Sequence, residues 1–346
     1  MKILHVNLAS GYSGGENQTL QLIQEQQRLG YQLAVVANPK SPFADKIRQL
    51  DIPVYTCSHF LLKHSRQLTE GCQLIHVHEG KAIYWAAIQG WLYKVPYLVT
   101  RRIDNPIKNK KLLRWSYRQA SAAVALSQVI ADRIEQATHH PNIHIIPSSP
   151  VSYPVDPQQV AQLKARFADQ FIVIQAGNLL AHKGFDVTVK AAQVLAQQAP
   201  AIQLVFLGDG PERAALEQQA HALKNVTFAG KQPREQMGNW FAAADLQVHP
   251  SYSEGLGSVI LEGMQSGLTV IGSRAGGIVD IIQDRQNGLL IEPGNDQELA
   301  TAILELYQNP PFRQQLAAQA QRSMQAFAIE TTAQRYSDLY RKVALL

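Results

Sequence analysis

Short apolar runs recur along this chain, with segments of helical period between them. In the front half they are KILHVNL (2–8), QLAVVAN (32–38), QLIHVH (73–78), PYLVTR (96–101), AAVAL (122–126) and IHII (143–146). Their apolar character is nearly continuous rather than alternating, which predicts strands of a parallel sheet covered on both faces. The intervening ENQTLQLIQEQQRLG predicts a helix that begins near Glu16 and ends on Gly30 as a C-cap.

The stretch PSSPVSYPVDP (147–157), with four prolines and no period, interrupts this rhythm and predicts a linker. Beyond it the strand pattern resumes with FIVIQAG (171–177), IQLVFLG (202–208), VTFAG (226–230), DLQVHP (245–250), LTVIG (268–272) and GLLIEP (288–293). From about 295 to 346 the pattern is helical, without a strand. The expected architecture is α/β: two Rossmann-like parallel-sheet domains, 1–150 and 151–325, and a closing helical segment, 326–346. In such sheets ligands bind beyond the carboxyl ends of the strands, so the residues just after each strand carry the functional question.

Composition adds little to this picture and charge adds more. A chain of 346 residues with 46% hydrophobic and 17% charged residues is an ordinary globular chain, long enough for two cores. No apolar run approaches the roughly 18 residues of a spanning helix. The N-terminal MKILHVNLASG has no continuous apolar signal region, which predicts a cytoplasmic protein. Cys57 and Cys72 have no metal-like spacing and predict neither a disulfide framework nor a metal centre. Residues 1–150 hold 17 Lys and Arg against 9 Asp and Glu, whereas the rest holds 15 against 18. A basic front half beside a mildly acidic back half fits two domains with different partners, or plain surface variation.

Several glycine turns stand where ligands are expected. ASGYSGGEN follows the first strand and places Gly11, Gly14 and Gly15 before a helix start, where free N–H groups can meet an anion. Its spacing is not that of a dinucleotide fingerprint, and AVVANPK lacks the acidic residue that would hold an adenosine ribose, so a nicotinamide dehydrogenase ranks last. In the back half, AGNLLAHKG (176–184) brings Lys183 to a strand end as a point charge for a diphosphate. LGDGPE (207–212), with Gly208, and SRAGGIVD (273–280) are further turns of this kind. Most informative is SYSEGLGSVILEGMQSG. Gly257 and Ser258 open a helix whose N–H groups can meet a phosphate, and Glu262 lies one turn inside it on the face of Ser258. There a carboxylate can accept from two ribose hydroxyls, and Glu254 in the preceding loop can hold a sugar. The alternative is that Glu254 is a cap and Glu262 a solvated helix residue, but Glu262 sits among Val259, Ile260, Leu261 and Met264, where a charge needs a partner.

These stretches, together with LVFLGDGPE, VTFAGK, LQVHPSYSEGLGSVILEGMQSGLTVIGSRAGGIVDII and NGLLIEPGND, resemble family 4 of the retaining glycosyltransferases. The front half is similar more loosely, through SGGEN (13–17) and IHVHEG (75–80). The resemblance implies the GT-B fold, with two Rossmann-like domains facing across a cleft and a last helix that returns to the first. It implies an N-terminal acceptor domain, a C-terminal donor domain, and His78, Lys183 and Glu254 as catalytic residues. Gly15, Asn178, Lys183, Gly208, Gly257, Ser258 and Glu262 would bind the nucleotide sugar, which enters as substrate, with no cofactor and no metal. Glu254 would contact the sugar, Glu262 the ribose, and Lys183 with the Gly15 backbone the diphosphate. His78 would lie near the reacting carbon, although a histidine at such a strand end is otherwise read as a satisfied core residue. The sequence departs from the family at Asn178, where an arginine is usual, and also at Thr269 and Asp280.

The implied reaction is transfer of one sugar from a nucleoside diphosphate to a hydroxyl of a glycan or lipid-linked acceptor, with retention, in bacterial envelope polysaccharide or lipopolysaccharide synthesis. No Asp-x-Asp motif suggests a metal. An epimerase of the same fold, or a non-catalytic subunit that binds sugar nucleotides, are the alternatives. RRIDNPIKNKKLLRWSYRQ (101–119) interleaves basic residues with Leu112, Leu113 and Trp115. It is either a solvated helix with an apolar face to the core or an acceptor and membrane contact. On the second reading Arg101, Arg102, Lys108, Lys110, Lys111 and also Glu16 meet an acceptor or an anionic inner-membrane surface. No recognition motif points to nucleic acid.

Overall fold

The computed structural model describes residues 1–344 apart from Glu79, Asn109 and Asp169. It divides into two compact units, Met1–Ser149 with Ala328–Leu346, and Pro150–Phe327. Glu79 of the HVHEG stretch and Asn109 of the basic stretch lie outside the described residues.

Unit 1 is built on β1 (Lys2–Asn7), β2 (Gln32–Ala37), β3 (Val54–Thr56), β4 (Leu74–Val77), β5 (Tyr97–Arg101), β6 (Ala122–Ala125) and β7 (Ile143–Ile145). Its helices are α1 (Gly14–Arg28), α2 (Pro42–Arg48), α3 (Ala82–Tyr93), α4 (Lys111–Gln119) and α5 (Gln128–Thr138). The strands pair in parallel in the order β3-β2-β1-β4-β5-β6-β7. Six of these strands coincide with apolar runs read from the sequence. The seventh, β3, does not: Tyr55 and Thr56 are exposed, and β3 exists as an edge strand through its register with β2, Val35 opposite Val54.

Unit 2 carries β8 (Phe171–Ala176), β9 (Ile202–Leu207), β10 (Val226–Gly230), β11 (Leu246–His249), β12 (Val270–Ser273) and β13 (Leu289–Ile291). They pair in parallel in the order β10-β9-β8-β11-β12-β13. Between and after them run α6 (Pro157–Arg166), α7 (Phe185–Gln198), α8 (Arg213–Gln219), α9 (Arg234–Ala243), α10 (Ser258–Gln265), α11 (Asp296–Gln308) and α12 (Pro310–Ser323). One face of the sheet buries Val173, Leu204, Phe206 and Val248 against Val189, Leu195, Leu299 and Ile303 of α7 and α11. The other buries Ile172, Ile174 and Val205 against Trp240 and Phe241 of α9. Covering both faces is what makes these strands read as unbroken apolar runs.

The last helix, α13 (Ile329–Ala344), belongs to unit 1. Ala333, Tyr336, Leu339, Tyr340 and Val343 fall on one helical stripe and pack with Ile3, Leu22, Ile23 and Val35. Burying side chains of this size stabilises by roughly 1.5–3 kcal/mol each. In each sheet the strand order reverses once, between β1 and β4 and between β8 and β11. Those reversals open the crevices where doubly wound sheets take ligands.

Candidate active site

At the β8–β11 reversal, two loops are brought into contact. A short 3-10 turn, Ala181–Lys183, follows β8 and ends on Gly184, whose φ of 69° is left-handed. A Cβ at Gly184 would stand 1.9 Å from the Pro250 carbonyl oxygen, so only glycine lets this turn close on the loop after β11. The Tyr252 N–H then donates to the His182 carbonyl at 2.8 Å. This contact fixes Lys183 beside Glu254, with Nζ 2.5 Å from Oε2. His249 Nε2, from the end of β11, lies 2.8 Å from the same oxygen. Burial pushes the Glu254 carboxyl up, but the bonds and charges of His249 and Lys183 outweigh it and hold the pKa at about 2. From the far side, the Gly277 N–H donates to the Glu254 carbonyl at 2.9 Å, and a Cβ at Gly276 would strike that carbonyl oxygen at 1.9 Å.

Eight residues on, Glu262 lies one turn inside α10, which opens directly after Gly257. The Tyr153 hydroxyl donates to Glu262 Oε1 at 3.2 Å. Here burial dominates: it raises the carboxyl to about 7 against the opposing pull of Tyr153 and the Arg234 charge. The two glutamates thus occupy opposite electrostatic states, one firmly ionised and one poised near neutrality. Unfavourable burial of a carboxylate that keeps spare acceptor capacity is the condition of a site awaiting hydroxyl donors.

The β1–β4 reversal of unit 1 is different in kind. His5 and His76 face each other in register on β1 and β4, and His78 follows β4. His78 is 3% exposed, with Nε2 2.8 Å from His5 Nδ1 and Nδ1 3.5 Å from Arg102 Nη2. Burial holds all three imidazoles neutral, His5 with a pKa of about 3. Both nitrogens of His76 are engaged by hydroxyl groups, Tyr340 at 2.6 Å and Thr100 at 2.8 Å, and the Arg102 cation stands beside His78. That environment suits a hydrogen-bond network better than a metal ion.

A family model described as Glycosyl transferases group 1 matches residues 159–323, and one described as Glycosyltransferase Family 4 matches residues 12–149. The chain belongs to glycosyltransferase family 4. Among curated relatives, alpha-D-kanosaminyltransferase of Streptomyces kanamyceticus is 27% identical over 266 residues, covering 74% of this chain and 69% of that protein. The D-inositol 3-phosphate glycosyltransferase of Rhodococcus opacus is 26% identical over 342 residues, covering 87% and 74%. Lipopolysaccharide core biosynthesis glycosyltransferase LpsD of Rhizobium meliloti is 28% identical, covering 65% of this chain and 64% of LpsD. Among solved structures, Anabaena HepE in complex with UDP superimposes with a TM-score of 0.86 at 23% identity, covering 99% of this chain and all of that one. The fold of this family 4 protein is therefore GT-B.

Residue by residue, the structure gathers Lys183, Glu254, Gly257, Ser258 and Glu262 into the loops and helix start at the β8–β11 reversal. Asn178 is exposed on the loop that carries Lys183. Gly208 serves close approach: a Cβ there would be 1.8 Å from the Gly177 carbonyl oxygen, so it seats the β9 turn on the β8 turn. In unit 1, α1 begins at Gly14 rather than near Glu16, which places Gly15 in its first turn. Glu16 is corrected from an acceptor contact to a helix cap. Its buried carboxylate accepts from the Ser13 backbone N–H at 2.8 Å and the Ser13 hydroxyl at 2.6 Å. Burial opposes its ionisation, yet these bonds, with Asn7, hold its pKa below the usual value. Arg102 is likewise no surface contact, since its guanidinium is spent on Gln18, Ser148, Thr19 and His78. The Arg101 side chain bonds the Asn105 carbonyl. Lys108, Lys110 and Lys111 do lie at the surface. His78 was expected near reacting atoms, but its ring nitrogens are engaged within the sheet of unit 1. Sequence reasoning missed Tyr153 and His249. Tyr153 sat in a stretch read as a linker, and His249 at a strand end had no partner visible without the fold.

Proposed function

We propose that this protein transfers one sugar from a nucleoside diphosphate to a hydroxyl of a glycan or lipid-linked acceptor, with retention, in bacterial envelope polysaccharide or lipopolysaccharide synthesis. The observation that carries this reading is the Lys183–Glu254–His249 cluster at the β8–β11 reversal, with Glu262 one turn inside the adjacent helix. Unit 2 takes the donor and unit 1 the acceptor. The ribose diols donate to Glu262, and the diphosphate meets Lys183 and the positive end of α10. Lys183 exchanges Glu254 for the diphosphate, which leaves Glu254, still bonded to His249, for a sugar hydroxyl. The bond from the anomeric carbon to the diphosphate then breaks, and the acceptor oxygen bonds that carbon on the same face. The acceptor proton passes to the departing phosphate. Lys183 and the helix N–H groups stabilise the charge as it develops, and no step calls for a metal.

Relatives named for lipopolysaccharide core and teichuronic acid synthesis support the envelope assignment, and HepE, solved with UDP and with UDP-glucose, supports a uridine donor. A thermal-shift panel of UDP-, GDP- and ADP-sugars tests it. UDP-sugars should raise the melting temperature, since at a hundredfold excess over Kd a ligand adds about 2.7 kcal/mol. No shift with any of them would sink the reading. Epimerisation of the donor without acceptor would favour the epimerase instead.

We further propose that the enzyme works at an anionic membrane face. Among the described residues no helix is long and apolar enough to cross a membrane. The support lies in α4, where Leu112 and Trp115, one turn apart, are 52% and 40% exposed rather than turned to the core. They follow Lys108, Lys110 and Lys111, and α3, which packs on α4, exposes Trp91. Each lysine near such a surface contributes about 1 kcal/mol. Replacing Lys108, Lys110 and Lys111 by serine should weaken sedimentation with phosphatidylglycerol vesicles by about tenfold or more. Equal binding would exclude a membrane role for this helix.

A further inference from the structure

Unit 1 contains two buried runs of hydrogen bonds that the proposed reaction does not use, and one residue sets the direction of the protons in the first. Arg102 can only donate, so His78 Nδ1, 3.5 Å from Nη2, must be the acceptor. His78 Nε2 then carries the hydrogen and donates across 2.8 Å to His5 Nδ1. That places the second hydrogen on His5 Nε2, which has no hydrogen-bond partner among the described residues, as Gln26 Oε1 has none. A second run begins at Gln26, whose Nε2 donates to the Tyr340 hydroxyl at 2.9 Å. Tyr340 in turn donates to His76 Nδ1 at 2.6 Å, and His76 Nε2 donates to Thr100 at 2.8 Å. Thr100 passes its hydrogen to Tyr336 at 3.0 Å.

The reverse assignment of the first run fails at Arg102, since it would set an N–H of His78 against the guanidinium, donor against donor. We propose that Arg102 is a positioning residue that locks His78 and His5 as Nε2–H tautomers at the ends of β4 and β1. His5, His76, Gln26 and Tyr340 are buried, which keeps water from competing for these bonds.

Long-range proton–nitrogen spectra of the uniformly labelled enzyme at pH 7 test the first run, with His5, His76 and His78 assigned from single glutamine variants. His78 and His5 should show a bare Nδ1 and a protonated Nε2, unchanged from pH 8 to pH 5. A proton on Nδ1 of His78 or His5 overturns the proposal, as does a shift of all three on adding equimolar zinc, which would make the cluster a metal site. Arg102→Lys retains a donor-only cation and should retain the tautomers. Arg102→Gln offers an oxygen and should release His78 and His5 into the other form. Unchanged tautomers in the folded Arg102→Gln variant would also overturn it.

Discussion

Lys183→Met is expected to lower sugar transfer by about a hundred- to a thousandfold, the loss typical of one missing donor to a developing oxyanion. The same change should destabilise the empty protein, because Glu254 and Lys183 answer each other's charge at side-chain exposures of only 13% and 19%. Breaking a buried pair costs about 3–5 kcal/mol, and the partial exposure and the remaining His249 bond bring the expectation to about 2 kcal/mol. Glu254→Gln should cost a similar amount by stranding Lys183. The double variant should recover most of the stability and none of the activity. Urea unfolding and product formation on the four proteins of this cycle separate the two roles. Strictly additive stability losses would dismiss the pair, and normal transfer by Lys183→Met would dismiss the mechanism. The pH dependence follows from the same geometry. Glu254 has a folded pKa of about 2 against a usual 4.5, so its contribution to stability is complete above pH 4.5 and is lost as pH falls toward 2. Without Lys183 that window should narrow.

Glu262→Gln carries the second large effect, and its sign is opposite for folding and for binding. The Glu262 carboxyl has a folded pKa of about 7 against a usual 4.5. The folded protein therefore holds a proton that the unfolded chain has already released, and stability falls as pH rises from 4.5 through 7. At pH 8 the full cost reaches about 3 kcal/mol, an upper figure because the residue keeps an exposed edge. Glutamine can still accept from Tyr153 and carries no charge, so the variant should be the more stable protein at pH 8 and equal to wild type near pH 4.5. Nucleotide binding should go the other way. Two charge-assisted bonds to ribose are worth about 1.5–3 kcal/mol each, so UDP affinity should drop about a hundredfold at pH 8. In the wild type, UDP must displace the proton below pH 7, and affinity should fall toward tenfold per pH unit there. Calorimetry at pH 6, 7 and 8 reads this directly; a flat profile, or a variant no more stable at pH 8, would reject Glu262 as the ribose acceptor.

Much of this was legible from the chain because buried parallel strands advertise themselves. Twelve runs of continuous apolar residues became strands within one or two positions, and the glycine turns between them fell at the strand ends. The strand that escaped notice, β3, buries only part of Val54, and its identity comes from a neighbour's backbone rather than from its own side chains. The Glu254–Glu262 spacing placed one carboxylate on a loop and the other one turn inside α10. Their opposite ionisation was not legible, because it depends on His249, Lys183 and Tyr153 arriving from β11, the turn after β8 and the segment before α6. Glu16 and Arg102 show the limit from the other side. A charged residue beside a glycine loop reads as a ligand contact until the partners that neutralise it are seen, Ser13 for one and a set of neutral acceptors for the other.

The placement of α13 in unit 1 bears on how the protein is made. Strands β1 to β7 leave the ribosome as residues 2–145, but the helix that covers their face starts only at Ile329. At about 5–20 residues per second, the first sheet waits roughly ten to forty seconds for its last helix. During that interval Ile3, Val35 and the inward faces of Gln26 and His76 lack the partners that Tyr336, Tyr340 and Val343 later supply. The nascent first unit thus exposes apolar surface until its last helix arrives, and a premature stop after Phe327 should damage the first-made domain while sparing the one made last.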